Sequence, residues 1–170
     1  MERVKSRPET HKACTRLLLV LALVLGKPVS AQSAENGSAA PAHKPPKRHV
    51  LVSIPDRKLA VLEDGKVIGT FPVAVGTAAS PSPTGQFRIV HRLTNPTYYH
   101  PGVIIPPGRD NPVGPRWVGL NQKGFGIHGT NEPWSIGKAA SHGCIRMRNR
   151  DVLELFDQVA PGTPVDILET

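Results

Sequence analysis

Cysteine, aromatic residues and long apolar runs are all scarce in this chain of 170 residues. Two cysteines, Cys14 and Cys144, are too few for the disulfide framework of a small secreted domain. Aromatic residues make up 5% of the chain and do not interleave with a basic patch, so we expect no nucleic-acid partner. By contrast, the chain contains 18 prolines and 16 glycines, which favour turns and short strands over long helices.

The longest apolar run lies near the N-terminus, from Leu17 to Leu25. It is too short for a membrane-spanning helix, which needs about 20 residues. Basic residues precede the run, and the small residues Val29-Ser30-Ala31 follow it as a cleavage site. Residues 1–31 are therefore predicted to be a secretory signal peptide, with an uncleaved membrane anchor as the alternative. We expect an exported protein of the periplasm or cell envelope.

Cleavage would change both the charge and the cysteine count. Residues 1–31 hold six of the 21 basic and two of the 13 acidic residues, so the net charge falls from +8 to about +4. This charge suits a carboxylate-rich polymer but is weak information about partners. Residues 32–48 are rich in Ala, Pro and Lys without apolar periodicity, which predicts an extended linker. The folded domain is predicted to comprise residues 49–170.

Short β-rich segments dominate the predicted domain, and Asp64-Gly65 joins two of them as a strong hairpin signal. A helix is predicted over Asp151 to Val159, where apolar residues recur at helical spacing, with Asn149 as its cap. This pattern predicts a mostly β fold, an antiparallel sandwich or barrel-like body with one helix in the C-terminal half. The predicted strands are 50–54, 58–62, 67–75, 86–92, 117–120, 124–128 and 163–168.

Residues 95–116 are rich in Pro, Gly and Asn and are predicted to form one long loop. Loops of this length without secondary structure are uncommon and usually functional. Tyr98, Tyr99 and His100 lie on it, and we expect them to pack the loop onto the body rather than to contact a ligand. His91, on the preceding strand, is expected to have no chemical role.

The segment from Ile127 to Met147 carries two His-Gly pairs, one cysteine and one arginine. Once the leader is removed, Cys144 is the only cysteine, and a thiol reacts as its thiolate. His128 and His142 are both candidates for the base that takes the thiol proton and holds an ion pair with the sulfur. Gly143 permits a tight turn, so three consecutive N–H groups there could form an oxyanion hole.

Zinc binding is the rival use of these side chains. His128, His142 and Cys144 are suitable ligand types, but adjacent His-Gly-Cys is not a usual metal spacing and no C-x-x-C pair exists. We therefore expect no metal and no cofactor. Papain-like folds are also disfavoured, because there the cysteine precedes the histidine.

His128-Gly129-Thr130, followed by Ser141-His142-Gly143-Cys144-Ile145-Arg146, resembles the signature of the L,D-transpeptidase catalytic domain of bacterial cell-wall enzymes. The stretches Pro106 to Gly114 and Ser82 to Phe87, together with Trp117, are similar to that family's short members. The resemblance runs from about His49 to the C-terminus. It implies a β-rich fold with the cysteine in a cleft under loops.

The resemblance implies Cys144 as the nucleophile, His128 as the general base and the Gly129 carbonyl as the group that orients the histidine. Side chains of Asn131, Glu132 and Asp110 stay open as alternatives for that third role. Three neighbours complete the candidate site. They are His142, which would shape the cleft or bind substrate, Arg146, which would hold a carboxylate or brace the loop, and Ser141, which would support a nearby carbonyl.

The implied reaction is acyl transfer on peptidoglycan tetrapeptide stems. The thiolate would attack the carbonyl after the third residue, expel D-alanine, and pass the acyl group to an amine. That amine would belong to a second stem, a free D-amino acid or an acceptor lipoprotein. Transfer to water would make the protein an L,D-carboxypeptidase, and a non-catalytic wall-binding protein is the remaining alternative. We expect a monomer.

Overall fold

A computed structural model describes residues 47–169 of the chain. The predicted signal peptide and nearly all of the predicted linker lie outside this range. Within it, no helix is both long enough and apolar enough to cross a membrane.

Strands are the main secondary structure of the described residues, as the composition predicts. The strands are β1 (Arg48–Ser53), β2 (Lys58–Glu63), β3 (Lys66–Gly76), β4 (Gly85–Thr94), β5 (Tyr98–His100), β6 (Val103–Ile105), β7 (Arg116–Leu120), β8 (Gly126–His128), β9 (Ala139–Ser141), β10 (Ile145–Met147) and β11 (Pro164–Leu168). One α-helix, α1 (Asn149–Gln158), and one 3-10 turn, Pro133–Ser135, complete this part of the chain.

Nine of these strands form one sheet in the order β10-β8-β7-β4-β11-β1-β2-β3-β9. Strand β10 also pairs with β3, so the sheet closes on itself as a barrel. The pairs β1–β11, β8–β10 and β3–β9 are parallel, and the other pairings of the barrel are antiparallel. The predicted barrel-like, mostly β fold with one helix is confirmed.

The barrel is filled by one side of each strand, because successive side chains point to opposite faces. Val50 and Val52 of β1 face inward, as do Ile127 of β8 and Ile145 of β10, and all four are buried. Helix α1 adds Val152 and Leu155 to the same apolar cluster. The side chains that flank Ile127 and Ile145 must therefore face outward.

The predicted long loop contains a hairpin of its own. Strands β5 and β6 pair antiparallel, and Gly102, with φ of +77°, lies in the turn between them. The buried side chain of Asn111 then ties the segment together, because its Nδ2 donates to the Pro96 carbonyl at 2.9 Å. Its Oδ1 accepts from the N–H of Val113 at 2.9 Å. The prediction of a structureless loop is wrong, since the hairpin supplies its own backbone partners.

The predicted cap of α1 is also wrong. Arg148 occupies the cap position without a side-chain hydrogen bond, and Asn149 is the first helical residue. The Asn149 Oδ1 instead accepts a hydrogen bond from the N–H of Thr130, at 2.8 Å. The Asn149 oxygen, which was predicted to cap the N-terminus of α1, therefore accepts a hydrogen bond from the loop after β8 instead.

Candidate active site

The parallel pairing of β8 and β10 brings the two halves of the sequence motif together. Ile145 lies opposite Ile127, and Arg146 lies opposite His128. Because both isoleucines point into the core, His128 and Arg146 face the outer side of the barrel, and Cys144 precedes Ile145 on that side. All three line one cavity of about 430 Å³.

Two parts of the fold form the walls of this cavity. The barrel wall consists of Trp117 on β7, Gly124 in the loop before β8, His128 at the end of β8, and residues of the segment from Ser141 to Arg146. The hairpin wall consists of residues from the segment between the end of β4 and the start of β7. Its lining residues are Leu93, Pro96, Thr97, Tyr98, Tyr99, Pro112 and Val113.

His128 is buried, with 5% of its surface exposed. Its Nδ1 lies 2.5 Å from the carbonyl oxygen of Gly129. A carbonyl can only accept, so Nδ1 carries the proton and Nε2 of the neutral ring is free to take one. The indole of Trp117 stacks on the ring with centroids 5.4 Å apart. The imidazole is therefore fixed in orientation and in tautomer.

Burial determines the protonation of both central groups. It lowers the pKa of His128 from 6.5 to about 4; the Gly129 hydrogen bond opposes this change, and the positive charge of Arg146 adds to it. Burial also raises the pKa of the Cys144 thiol, against smaller opposing effects of the Gly126 backbone and of Arg146. Both shifts oppose the ion pair expected from the sequence and favour the neutral thiol and the neutral imidazole.

The turn that carries Cys144 depends on Gly143 and Ser141. Gly143 has φ of +106°, and a Cβ there would lie 2.7 Å from the ring of Phe125. The Ser141 hydroxyl donates to the Cys144 carbonyl at 2.6 Å and accepts from the Gly143 N–H at 3.1 Å. Ser141 thus supports a neighbouring carbonyl as expected, but the Gly143 N–H already has a partner. The expectation of three free N–H groups at this turn is wrong on that point.

Arg146 lies at the base of the cavity with 13% of its side chain exposed. Its Nη1 donates to Glu132 Oε2 at 2.7 Å, which ties β10 to the loop that follows β8. The arginine is thus ordered near the pocket and braces a loop. His142 is exposed and lines the same cavity.

Sequence reasoning missed the support beneath His128. The Trp117 Nε1 donates to His91 Nε2 at 3.1 Å, so His91 holds the indole that stacks on the His128 ring. Gly119 and Gly126 make room for these rings, since a Cβ at either position would collide with His91 or Trp117. Glycines within two predicted strands were the signal that could have indicated this arrangement.

The hairpin residues do not behave as expected. Tyr98 and Tyr99 both line the cavity, and Tyr99 is 72% exposed. The prediction that these residues pack the loop onto the body is wrong for Tyr99, because this residue is largely exposed at the cavity. His100 is exposed and stacks with Tyr98, with ring centroids 6.4 Å apart.

Comparison with known proteins identifies the family of the chain. Residues 47–167 match the YkuD family model, which describes the L,D-transpeptidase catalytic domain. The Bacillus subtilis protein YkuD, named as an L,D-transpeptidase, is 43% identical over 119 residues, which are 70% of this chain and 65% of YkuD. Its relative YqjB, named likewise, is 41% identical over 126 residues, which are 71% of each chain. This chain therefore spans just under two thirds of the length of YkuD.

Solved structures share the fold. An L,D-transpeptidase from Mycobacterium tuberculosis superimposes with a TM-score of 0.63 at 22% identity, over 73% of this chain and 58% of that one. The catalytic domain of an Enterococcus faecium L,D-transpeptidase gives 0.59 at 25% identity, over 72% of this chain and 97% of that one. The family model matches residues 47–167, which are more than half of the chain, and Bacillus subtilis has relatives more than 40% identical to it. The protein therefore belongs to the L,D-transpeptidase catalytic-domain family.

Proposed function

We propose that this protein is a thiol acyltransferase that acts on peptidoglycan stem peptides. The observation that carries the proposal is the placement of Cys144 and a tautomer-fixed His128 on one wall of a single cavity. A nucleophile beside an oriented base is the arrangement that covalent acyl transfer requires. Membership of the L,D-transpeptidase family then supports the stem peptide as substrate.

The first half-reaction forms a thioester. The Cys144 sulfur attacks the carbonyl carbon after the third residue of a tetrapeptide stem, while the thiol proton passes to His128 Nε2. The tetrahedral intermediate collapses, the bond to the terminal D-alanine breaks, and the imidazolium returns its proton to the leaving amine. Because burial favours the neutral form of both groups, we infer that His128 acts as a base during the attack rather than by holding a thiolate beforehand.

The second half-reaction transfers the acyl group. A neutral amine attacks the thioester, His128 takes its proton, and the proton returns to the departing sulfur. A diamino acid side chain of another stem gives a cross-link between third residues, a free D-amino acid gives exchange, and a lipoprotein lysine gives attachment. Water as acceptor would give L,D-carboxypeptidase activity at the same residues.

The other site residues have supporting roles in this proposal. Because Gly143 N–H is bonded to Ser141, the N–H groups of His142 and Cys144 are the remaining donors of this turn for the oxyanion. Arg146 holds the loop after β8 through Glu132, and its charge also faces the thiol. His142, exposed at the cavity, contacts the substrate.

The proposal places the protein outside the cytoplasmic membrane, where its substrate lies. Residues 1–31 would direct export, and Val29-Ser30-Ala31 would be the cleavage site. Mass spectrometry of exported protein should therefore find an N-terminus at Gln32. An envelope fraction in which the protein retains Met1 would refute cleavage.

The test of the reaction uses purified tetrapeptide stems and chromatography coupled to mass spectrometry. The protein should release D-alanine and form joined stems, and the Cys144→Ser variant should do neither. Release of D-alanine without joined or exchanged product would identify a carboxypeptidase. A carbapenem should form a covalent adduct on Cys144, as family membership leads us to expect, and an adduct on a different residue would sink the assignment.

A further inference from the structure

We propose that Asn149 is a positioning residue for His128 and acts through the peptide group between Gly129 and Thr130. This inference rests on the proposed role of His128 as the base. It assigns a function to the side chain that the sequence pattern placed at a helix cap.

One peptide group makes both of the hydrogen bonds involved. Its carbonyl, from Gly129, accepts from His128 Nδ1 at 2.5 Å. Its N–H, from Thr130, donates to Asn149 Oδ1 at 2.8 Å. In a planar trans peptide these two groups point in opposite directions, so the peptide is held between the imidazole and the asparagine.

The fold reserves space for the Asn149 amide. Its Oδ1 lies against the backbone of Gly114 and Gly129, and a Cβ at either glycine would collide with that oxygen. Side chains larger than hydrogen at these positions would displace the amide from the peptide. Asn149 as a whole is exposed, so it is the contact of its Oδ1 with these two glycines that fixes where the acceptor lies.

The physical effect on His128 has two parts. Donation from the Thr130 N–H polarises the amide, which makes the Gly129 carbonyl a stronger acceptor for Nδ1–H. It also prevents rotation of the peptide, so that the imidazole keeps its proton on Nδ1 and leaves Nε2 free. Without Asn149, the N–H would lose its protein partner and the carbonyl would lose its fixed direction.

The position of Asn149 in the chain links the two reacting groups. Strand β10 follows Cys144 directly, and α1 begins with Asn149 shortly after it. One short segment therefore carries both the nucleophile and the side chain that sets the orientation of the base. Displacing this segment would disturb both groups together.

The experiment compares the wild type with Asn149→Ala and Asn149→Asp. Alanine removes the acceptor and suits a helical position, whereas aspartate keeps an oxygen where Oδ1 lies. Arg150→Ala is the matched control, because Arg150 is the next helical residue, its side chain is 80% exposed, and its side-chain partner is Asp151. Thermal unfolding establishes that each variant is folded.

Two readouts report on positioning without any wall peptide. Nitrogen-15 NMR of the His128 ring shows which nitrogen carries the proton. The second readout is the rate at which iodoacetamide alkylates Cys144 at neutral pH. Neither measurement uses a stem peptide, so both could still be interpreted if the protein did not act on such peptides. Conversely, a negative result for Asn149 would not contradict the proposed acyl-transfer reaction.

In Asn149→Ala, the NMR signal should change from a single Nδ1–H tautomer to a mixture, and alkylation should slow about tenfold, equivalent to about 1.4 kcal/mol. Asn149→Asp should keep the wild-type tautomer and an alkylation rate within about twofold, as should Arg150→Ala. The proposal is overturned if folded Asn149→Ala keeps the wild-type tautomer and rate. It is also overturned if folded Asn149→Asp loses both, since an acceptor alone would then be insufficient.

Discussion

The two walls of the cavity differ in how their side chains are held. On the barrel wall, His128 is 5% exposed and has defined partners in Gly129 and Trp117. On the hairpin wall, Tyr99 is 72% exposed. The proposed reacting groups thus lie with the closed sheet, whereas the exposed Tyr99 lies on a separate two-stranded hairpin.

In the proposed function, this difference separates the chemistry of Cys144 and His128 from recognition of the peptide by the hairpin. Proton transfer requires atoms held within a fraction of an ångström, which a hydrogen-bonded barrel provides. Contact with a peptide needs exposed surface instead, and an aromatic side chain supplies much of it at low cost in conformational entropy. Changes on the barrel wall should therefore affect rate, and changes on the hairpin should affect affinity.

The largest expected effect is on the barrel wall, at Cys144. Cys144→Ser should reduce D-alanine release from tetrapeptide stems by at least about 10³-fold, because an alcohol is a far weaker nucleophile than a thiol. The folded structure should be unchanged, since the two side chains are close in size. Substantial turnover by the serine variant would show that the cysteine is not the nucleophile.

The next effect distinguishes the two histidines. His128→Ala should lower kcat by about 10²- to 10⁴-fold, the usual range for loss of a general base, with partial recovery at alkaline pH. His142→Ala should lower kcat/KM by less than about tenfold, because this side chain is exposed at the cavity. The reverse order in steady-state assays would transfer the base role to His142.

The pH dependence of the free energy of unfolding tests whether His128 is buried in its neutral form. The pKa of His128 falls from 6.5 to about 4 in the fold, so the unfolded chain binds more protons between these values and stability rises with pH across that window. On acidification from neutral to pH 4, the wild type should lose about 3 kcal/mol more than His128→Gln. Urea unfolding at several pH values measures this difference, and parallel curves would contradict the buried neutral imidazole.

The smallest effect is expected on the hairpin wall. Tyr99→Ala should raise KM for a stem peptide about threefold to tenfold, as loss of an aromatic contact of about 0.5–1.5 kcal/mol would do. The free energy of unfolding should change by less than about 0.5 kcal/mol, since the side chain is exposed. A fall in kcat with unchanged KM would remove the distinction between the walls.

Local sequence patterns predicted most of the fold. The hairpin at Asp64-Gly65 joins β2 and β3, where Asp64 and Gly65 have φ of +48° and +81°. The apolar periodicity placed α1 within two residues of its observed ends, Asn149 and Gln158. These features depend on neighbouring residues, so a short window of sequence contains the necessary information.

Features that depend on distant contacts were not predictable in this way. The bond from Thr130 to Asn149 exists only because the β8–β10 pairing brings α1 beside the loop after His128. The Trp117–His91 bond likewise requires β4 and β7 to be neighbours. The burial that opposes the expected ion pair could also not be predicted, since adjacent residues do not reveal how deeply His128 and Cys144 lie in the fold.

The central claim is that His128 is a neutral base in one tautomer, and an NMR titration of its ring nitrogens tests this most directly. The wild type and Cys144→Ser are titrated side by side. We predict a neutral ring with Nδ1–H at neutral pH in both proteins, with protonation near pH 4 in both. A doubly protonated ring in the wild type at neutral pH, lost in Cys144→Ser, would demonstrate a thiolate–imidazolium pair and contradict the account.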